Sequence, residues 1–307
     1  MKKNIYFVMA LAAGMLAACS SDDDIQTGEN NQEVKVIASL PQDVTTRVAY
    51  SGEGSGNSYS VKAAWESGDN IRYSSIVSSA ANNSGDRPIT ITGSTGTFGL
   101  NEHPDANTYF YCYYPMSAIY NKTIAAGGAS IEIEPNNNGT YIFSNIDEIK
   151  EKNLLVGTQQ YTGAAANLTV QFKNVWSLLK INLRIPKSGN DGITKITEIS
   201  RISWCQSNSS VYPISKGKVT MTSSGNISWA ATSQNQHYSK TGINAALTER
   251  DDYMVTTFFA IVTPQDWDGF YIIVKDNNNV SHTYYKSDAK VTLEPGAMYI
   301  VDVSFSK

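Results

Sequence analysis

Val34, Val36, Ala38 and Leu40 alternate with Lys35, Ile37 and Ser39, the period-two pattern of a strand that buries one face. Pro41 closes this segment, because proline has no N–H to give to a ladder. The same reading predicts a second short strand over 44–50 and a Gly/Ser-rich loop over 51–58. From Val61 to Ile71 it predicts strand, tight turn and strand, with Gly68 and Asp69 in the turn. Ile89 and Ile91 alternate with threonines, Tyr109–Tyr114 is an aromatic strand stopped by Pro115, and Ile131 and Ile133 alternate with Glu132 and Glu134. Ser144, with Asp147 three residues later, is placed to cap one short helix, Ile146–Lys152. Leu168, Val170 and Phe172 alternate again, and Leu179, Ile181, Leu183 and Ile185 give the cleanest strand of the chain.

Beyond a Pro/Gly break at 186–192 the style repeats. Ile193, Ile196, Ile199 and Ile202 fall three apart, which suits a helix stripe or a strand with a bulge; their Thr, Ser and Ile company favours strand. Val219 and Met221 lead through Ser224-Gly225-Asn226 to Ile227 and Trp229, and 232–248 reads as a polar loop. Tyr253–Val262 and Phe270–Lys275 are apolar and β-prone. Asp276–Asn279 turns the latter into Val280–Lys286 as a hairpin, and Tyr299, Val301, Val303 and Phe305 alternate at the end. Many short strands separated by turn residues make an all-β chain of β-sandwiches. The expected division is 34–186 for one sandwich and 187–307 for the other.

The first residues follow a different pattern. Lys2 and Lys3 precede an uncharged apolar run, Ile5–Ala18, too short to span a bilayer that needs about twenty helical residues. A cationic start, a short apolar body and a small-residue exit describe a secretory signal peptide over 1–18. The exit, Leu16-Ala17-Ala18-Cys19, resembles a bacterial lipobox, in which the Cys thiol is acylated and becomes the new N-terminus. Two or three acyl chains on Cys19 would hold the protein firmly at a membrane, whereas one would not. Ser20-Ser21-Asp22-Asp23-Asp24 then opens an acidic tether over 19–33, and such a run looks like the surface-export signal of some Gram-negative lipoproteins.

Charge narrows the choice of partners. Loss of Lys2 and Lys3 with the leader takes the net charge from −4 to −6, and no basic block is present. That balance argues against nucleic acid and anionic lipid as ligands. Cys112 and Cys205 stand about ninety residues apart; outside the inner membrane they are free to pair, but two buried thiols is the simpler reading. His103, His237 and His282 are not at ligand spacing with one another or with a cysteine, so neither a zinc site nor another metal or cofactor is expected. No nucleophile elbow or phosphate loop occurs, and no constellation points to an enzyme. Asp266-Trp267-Asp268-Gly269 carries part of a calcium-loop pattern without the further ligands. Its Trp, flanked by two carboxylates, is the candidate glycan contact, against the plainer reading of a turn with an anchoring Trp.

Several segments share an order with a known family: the lipobox and acidic tail; Thr45-Thr46-Arg47-Val48; Trp65-x-x-Gly68-Asp69-x-Ile71; Tyr111-x-x-x-Pro115; Leu168-x-Val170-x-Phe172-x-x-x-Trp176-x-Leu178-Leu179-x-Ile181; and Leu293-x-x-Gly296-x-x-Tyr299-x-Val301-x-Val303. In this the chain resembles the fimbrillins, subunits of type V pili on anaerobic Gram-negative bacteria. The resemblance implies two transthyretin-like β-sandwich domains in tandem and a surface-exposed lipoprotein of the cell outer membrane, destined for a fimbrium. It also implies cutting at Arg47-Val48, loss of the segment that includes Val34–Leu40, and filling of the vacated groove by a strand of another pilus subunit. Tyr299–Phe305 is then the donor strand. Many members carry a His two residues after the Phe, where this chain has Asn174, and the chain runs only two residues past Phe305, so a stalk role requires the last strand itself to swap. A monomeric glycan-binding surface lipoprotein is the competing expectation.

Overall fold

The computed structural model describes residues 34–40, 52–53, 58–61, 65–76, 82–92, 95–100, 104–124, 130–135, 141–163, 167–188, 190, 192–206, 209–211, 216–233, 238–267, 269–286 and 291–305. The leader, the tether and the expected strand over 44–50 lie outside them. Among the described residues almost every element is a strand, as the alternation predicts, and no helix is long and apolar enough to cross a membrane.

Two hydrophobic cores organise these strands. The first draws only on residues 34–172. One wall is a four-stranded sheet in the order Asn167–Gln171, Lys35–Ser39, Thr95–Gly99, Thr90–Thr92. The other is the sheet Lys173–Asn174, Leu155–Tyr161, Thr108–Tyr114, Asn70–Ile76, Asn82–Pro88. Thr108–Tyr114 is covered on both faces, which is why its sequence is a continuous aromatic run rather than an alternating one. Phe110, Cys112 and Tyr114 point into the first core, Tyr111 and Tyr113 into the second.

The second core gathers residues from Ile76 to Phe305. Its main sheet places Ser177–Pro186 between Tyr253–Val262, antiparallel, and Met298–Ser304, parallel. Ser58–Val61 and Gly52–Glu53 continue that sheet beyond Met298–Ser304, so residues 52–53 and 58, expected in the loop over 51–58, belong to paired strands instead. The hydrogen-bonded sheet therefore runs across the expected break at 186/187. Lys195–Gln206 bears out strand over helix: register shifts beside Ile196 and Ile199 each reset the alternation, so Ile196, Ile199 and Ile202 are all fully buried at a spacing of three.

Two further expectations are corrected. Residues 238–246 form a strand against Lys195–Gln206 rather than a loop, with Ile243 and Ala245 buried. Gly242 and Asn244 there sit at φ +68° and +45°, and these left-handed residues break the alternation that would have announced the strand. The short helix is a 3-10 turn, Ile146–Glu151, and its N-cap is Asn145, not Ser144. The Asn145 side chain accepts from Asp147 N–H at 3.1 Å, while Glu148 accepts from Asn145 N–H at 3.1 Å and from Ser144 Oγ at 3.0 Å.

Candidate functional site: the seat of the first strand

Lys35–Ser39 lies inside its sheet, not at an edge. Asn167–Gln171 runs parallel to it on one side and Thr95–Gly99 antiparallel on the other. Val34, Val36, Ala38 and Leu40 all point into the first core and are at most 6% exposed. The ladder continues past both ends, with Leu100 N–H donating to Val34 O at 3.1 Å and Phe172 N–H to Ser39 O at 2.9 Å. The inward side chains build three rungs: Leu168, Val36 and Phe98; Val170, Ala38 and Gly96; then Leu40 beside Phe172.

The motif around Trp65 holds this strand from above. Trp65 is buried, and its Nε1–H donates to Ala38 O at 3.1 Å. Its ring meets Tyr114 and Phe172 edge-on, with centroids 5.3 and 5.4 Å away. Gly68 supplies the φ of +93° that the turn after Trp65 requires. Asp69 closes that turn through Glu66 N–H at 2.7 Å and accepts the Tyr114 hydroxyl at 2.5 Å, and Ile71 enters the core. The spacing Trp65-x-x-Gly68-Asp69-x-Ile71 is thus a clamp: indole on the strand, glycine for the bend, carboxylate as tie to the facing sheet.

A second junction joins the other two motif segments. Gly296 N–H donates to Trp176 O, Leu178 N–H to Ala297 O, and Ser177 Oγ–H to Glu294 O at 2.7 Å. Tyr299 braces this corner, its hydroxyl donating to Thr292 O and accepting from Glu294 N–H, both at 2.9 Å. Met298–Ser304 pairs along its length with Ser177–Pro186, but Ser58–Val61 meets only Met298 and Tyr299 on the other side. Val303 and Phe305 are buried, as the alternation predicts.

Cys19, Arg47, Val48 and Asp268 lie outside the described residues. Asp266 is exposed and accepts from Thr292 Oγ–H at 2.7 Å within a two-residue pairing that sets Trp267 opposite Val291. Among the described residues no group of His, Cys, Asp and Glu could hold a metal ion. His282 belongs to the hairpin: its Nε2 lies 2.9 Å from Oδ2 of buried Asp276, whose Oδ1 accepts from Asn278 and Val280 N–H. Burial opposes the Asp276 charge, but His282 and the two backbone donors outweigh it and hold the carboxyl below its ordinary range. Cys112 is a buried free thiol whose ionisation burial pushes far up, so it is inert packing. Tyr73, Tyr111, Tyr113, Tyr114, Tyr141 and Tyr161 are buried in the two cores. A polar groove of about 630 Å³ runs beside Leu155–Tyr161 and Asn167–Gln171, lined by Gln159, Gln160, Asn167, Thr169 and Gln171 among others.

The clamp role of Trp65 and the part played by Gly96 escape a reading of the sequence. The only signal was the Trp-Gly-Asp spacing, which announced a turn without naming what the indole touches.

A family model described as fimbrillin-like matches residues 46–307. No curated protein matches the sequence. Among solved structures, a candidate cell adhesion protein from Bacteroides uniformis is 16% identical, covering 90% of this chain and 93% of that one at a TM-score of 0.48. Another from Bacteroides ovatus is 12% identical over the same shares at 0.49. A fimbrial protein from Bacteroides vulgatus is 13% identical over 78% and 89% at 0.37.

Proposed function

The chain belongs to the fimbrillin-like family, and on that footing we propose a pilus subunit that is exported as a lipoprotein and assembled by strand exchange. As a fimbrial or adhesin subunit it is a structural protein of the cell surface. Cys19 carries the lipid that holds the precursor at the outer membrane. A protease cuts after Arg47, the segment before Val48 leaves with its lipid, and the emptied seat takes a strand from another subunit. The two hydrophobic cores become two sandwiches in tandem.

One observation carries this reading: the only described strand upstream of Arg47 is an interior strand of the first core. Val34, Val36 and Leu40 contribute about 1.5–3 kcal/mol each on burial, with less from Ala38. Ladder hydrogen bonds add roughly 1 kcal/mol apiece. A seat that loses this strand exposes an apolar trough flanked by unpaired ladder groups on both sides, which strongly favours a replacement.

N-terminal sequencing of protein shed from cells tests the cut, with Val48 as the expected first residue. Arg47→Ala should keep the first strand and abolish detergent-resistant multimers; multimers unchanged by that substitution refute the mechanism. The second reading, a monomeric glycan-binding surface lipoprotein, draws on the polar groove, whose amides and hydroxyls suit sugar hydroxyls. It requires retention of the uncut chain on polysaccharide columns. Loss on Gln171→Ala would place the sugar in the groove, and loss on Trp267→Ala would place it at 266–268.

A further inference from the structure

The middle rung of the seat is closely packed on both flanks, and this decides which strand can fill it. Resting on the strand-exchange reading, we infer that the acceptor selects a donor with a small residue at its third inward position. It follows that the donor is a different subunit rather than the C-terminal strand of a second copy.

Ala38 lies between Gly96 and Val170. The space above Gly96 is already taken: a Cβ there would stand 2.3 Å from Ile89 Cγ2 and 3.1 Å from Trp65 Cδ1. On the other flank Val170 presses against the facing sheet, where a Cβ on Gly157 would stand 2.7 Å from Val170 Cγ1 and 2.9 Å from Gln171 O. Both flanks of this rung are closely packed, and the smallest residues of the seat stand there. Trp65 cannot retreat freely, because its ring is set against Tyr114 and Phe172 and its N–H against the strand's own carbonyl. The neighbouring rungs take full-sized side chains, Val36 and Leu40. The fitting pattern is therefore branched, branched, small, leucine at alternate positions, as in Val34, Val36, Ala38 and Leu40.

Met298–Ser304 and its flanks do not offer that pattern in either direction. Tyr299, Val301, Val303 and Phe305 put valine or an aromatic ring against Gly96. The opposite face brings Ser304 to the rung but drives Asp302 into an apolar neighbour pocket, an unpaired buried charge. Sliding Ala297 into place carries Pro295 into the adjacent rung, where it has no N–H for the ladder.

The test uses the full chain with a specific protease site in place of residues 41–47, cut, and offered dye-labelled peptides read by anisotropy. A peptide of residues 33–43 should enter. The same peptide with Ala38→Val should bind roughly tenfold to a hundredfold more weakly, the range expected for overpacking a close-packed core. A peptide of residues 296–307 should not compete. Equal entry by the Ala38→Val peptide or by the 296–307 peptide overturns the selection while leaving exchange standing. Failure of the 33–43 peptide itself to enter overturns exchange, and the selection with it. In the uncut chain, Ala38→Val should lower the melting temperature whereas Val36→Ile should change it little. No difference there would overturn the close-packed rung independently of any exchange.

Discussion

Val36→Ala tests whether the first strand holds its core closed. Val36 is fully buried between Phe98 and Leu168, and Lys35, next to it, is exposed. Truncation to alanine removes two methyl groups, worth about 0.8 kcal/mol each by transfer. A residual void of roughly 40 Å³ at about 24 cal/mol per Å³ adds about 1 kcal/mol. The expected loss is about 2–3 kcal/mol, against about 0.5 kcal/mol or less for Lys35→Ala. Urea unfolding of the uncut chain should show it: with a slope of roughly 2 kcal/mol/M the midpoint falls by about 1 M. Hydrogen exchange at 35–39 should accelerate in parallel, because those amides are protected by the same seat. Equal midpoints for the two variants would refute the reasoning, since the strand could then leave without opening anything worth filling.

Two further outcomes follow from buried polar and thiol groups. Asp276→Asn should cost about 1.5–3 kcal/mol, the range for hydrogen bonds to a charged group, measured by thermal unfolding at neutral pH. The folded carboxyl of Asp276 sits below its unfolded value near 3.8, so its contribution is present above that value and is lost as pH falls through the folded one. The wild type should lose that increment in acid and the Asn variant should not. Cys112 should resist alkylation in the native chain and react once urea unfolds it, read by mass mapping of the peptide that contains it; rapid native labelling would contradict its burial.

The alternation of Val34–Leu40, Leu168–Phe172 and Leu179–Ile185 was legible because each of these strands buries one face against a core. Thr108–Tyr114 was legible as a strand, but its burial on two faces was not, since a continuous apolar run does not say how many cores it touches. Residues 238–246 were missed because two left-handed positions spoil the period and polar side chains cover the exposed face. What the sequence conceals most is pairing at a distance. Trp65 and Asp69 were readable as a turn, yet the turn's purpose depends on Ala38, 27 residues before the Trp, and on Tyr114, 45 residues after the Asp. The junction of Trp176 and Ser177 with Glu294–Gly296 spans some 120 residues in the same way. The hydrogen bond from Thr292 to Asp266 likewise joins residues 26 apart, which a local reading of Asp-Trp-Asp had no means to foresee.

The sharing of Thr108–Tyr114 between the two cores bears on how an emptied seat keeps its shape. Phe110, Cys112 and Tyr114 form part of the first core, while Tyr111 and Tyr113 from the same strand are locked into the second. None of the residues of Lys35–Ser39 belongs to the second core. Removal of the first strand therefore takes away contacts from one face of the sheet that contains Thr108–Tyr114 and leaves the other face packed. Under the proposed exchange, an acceptor held this way would lose little order on emptying and have little to regain on binding, so more of the contact energy of an incoming strand would be available as affinity. Hydrogen exchange distinguishes this from wholesale loosening. After cutting behind Arg47 and stripping the strand, amides of 95–99 and 167–171 should lose protection while those of 177–186 and 253–262 keep it. A uniform loss across both sets would mean that the second core does not brace the seat.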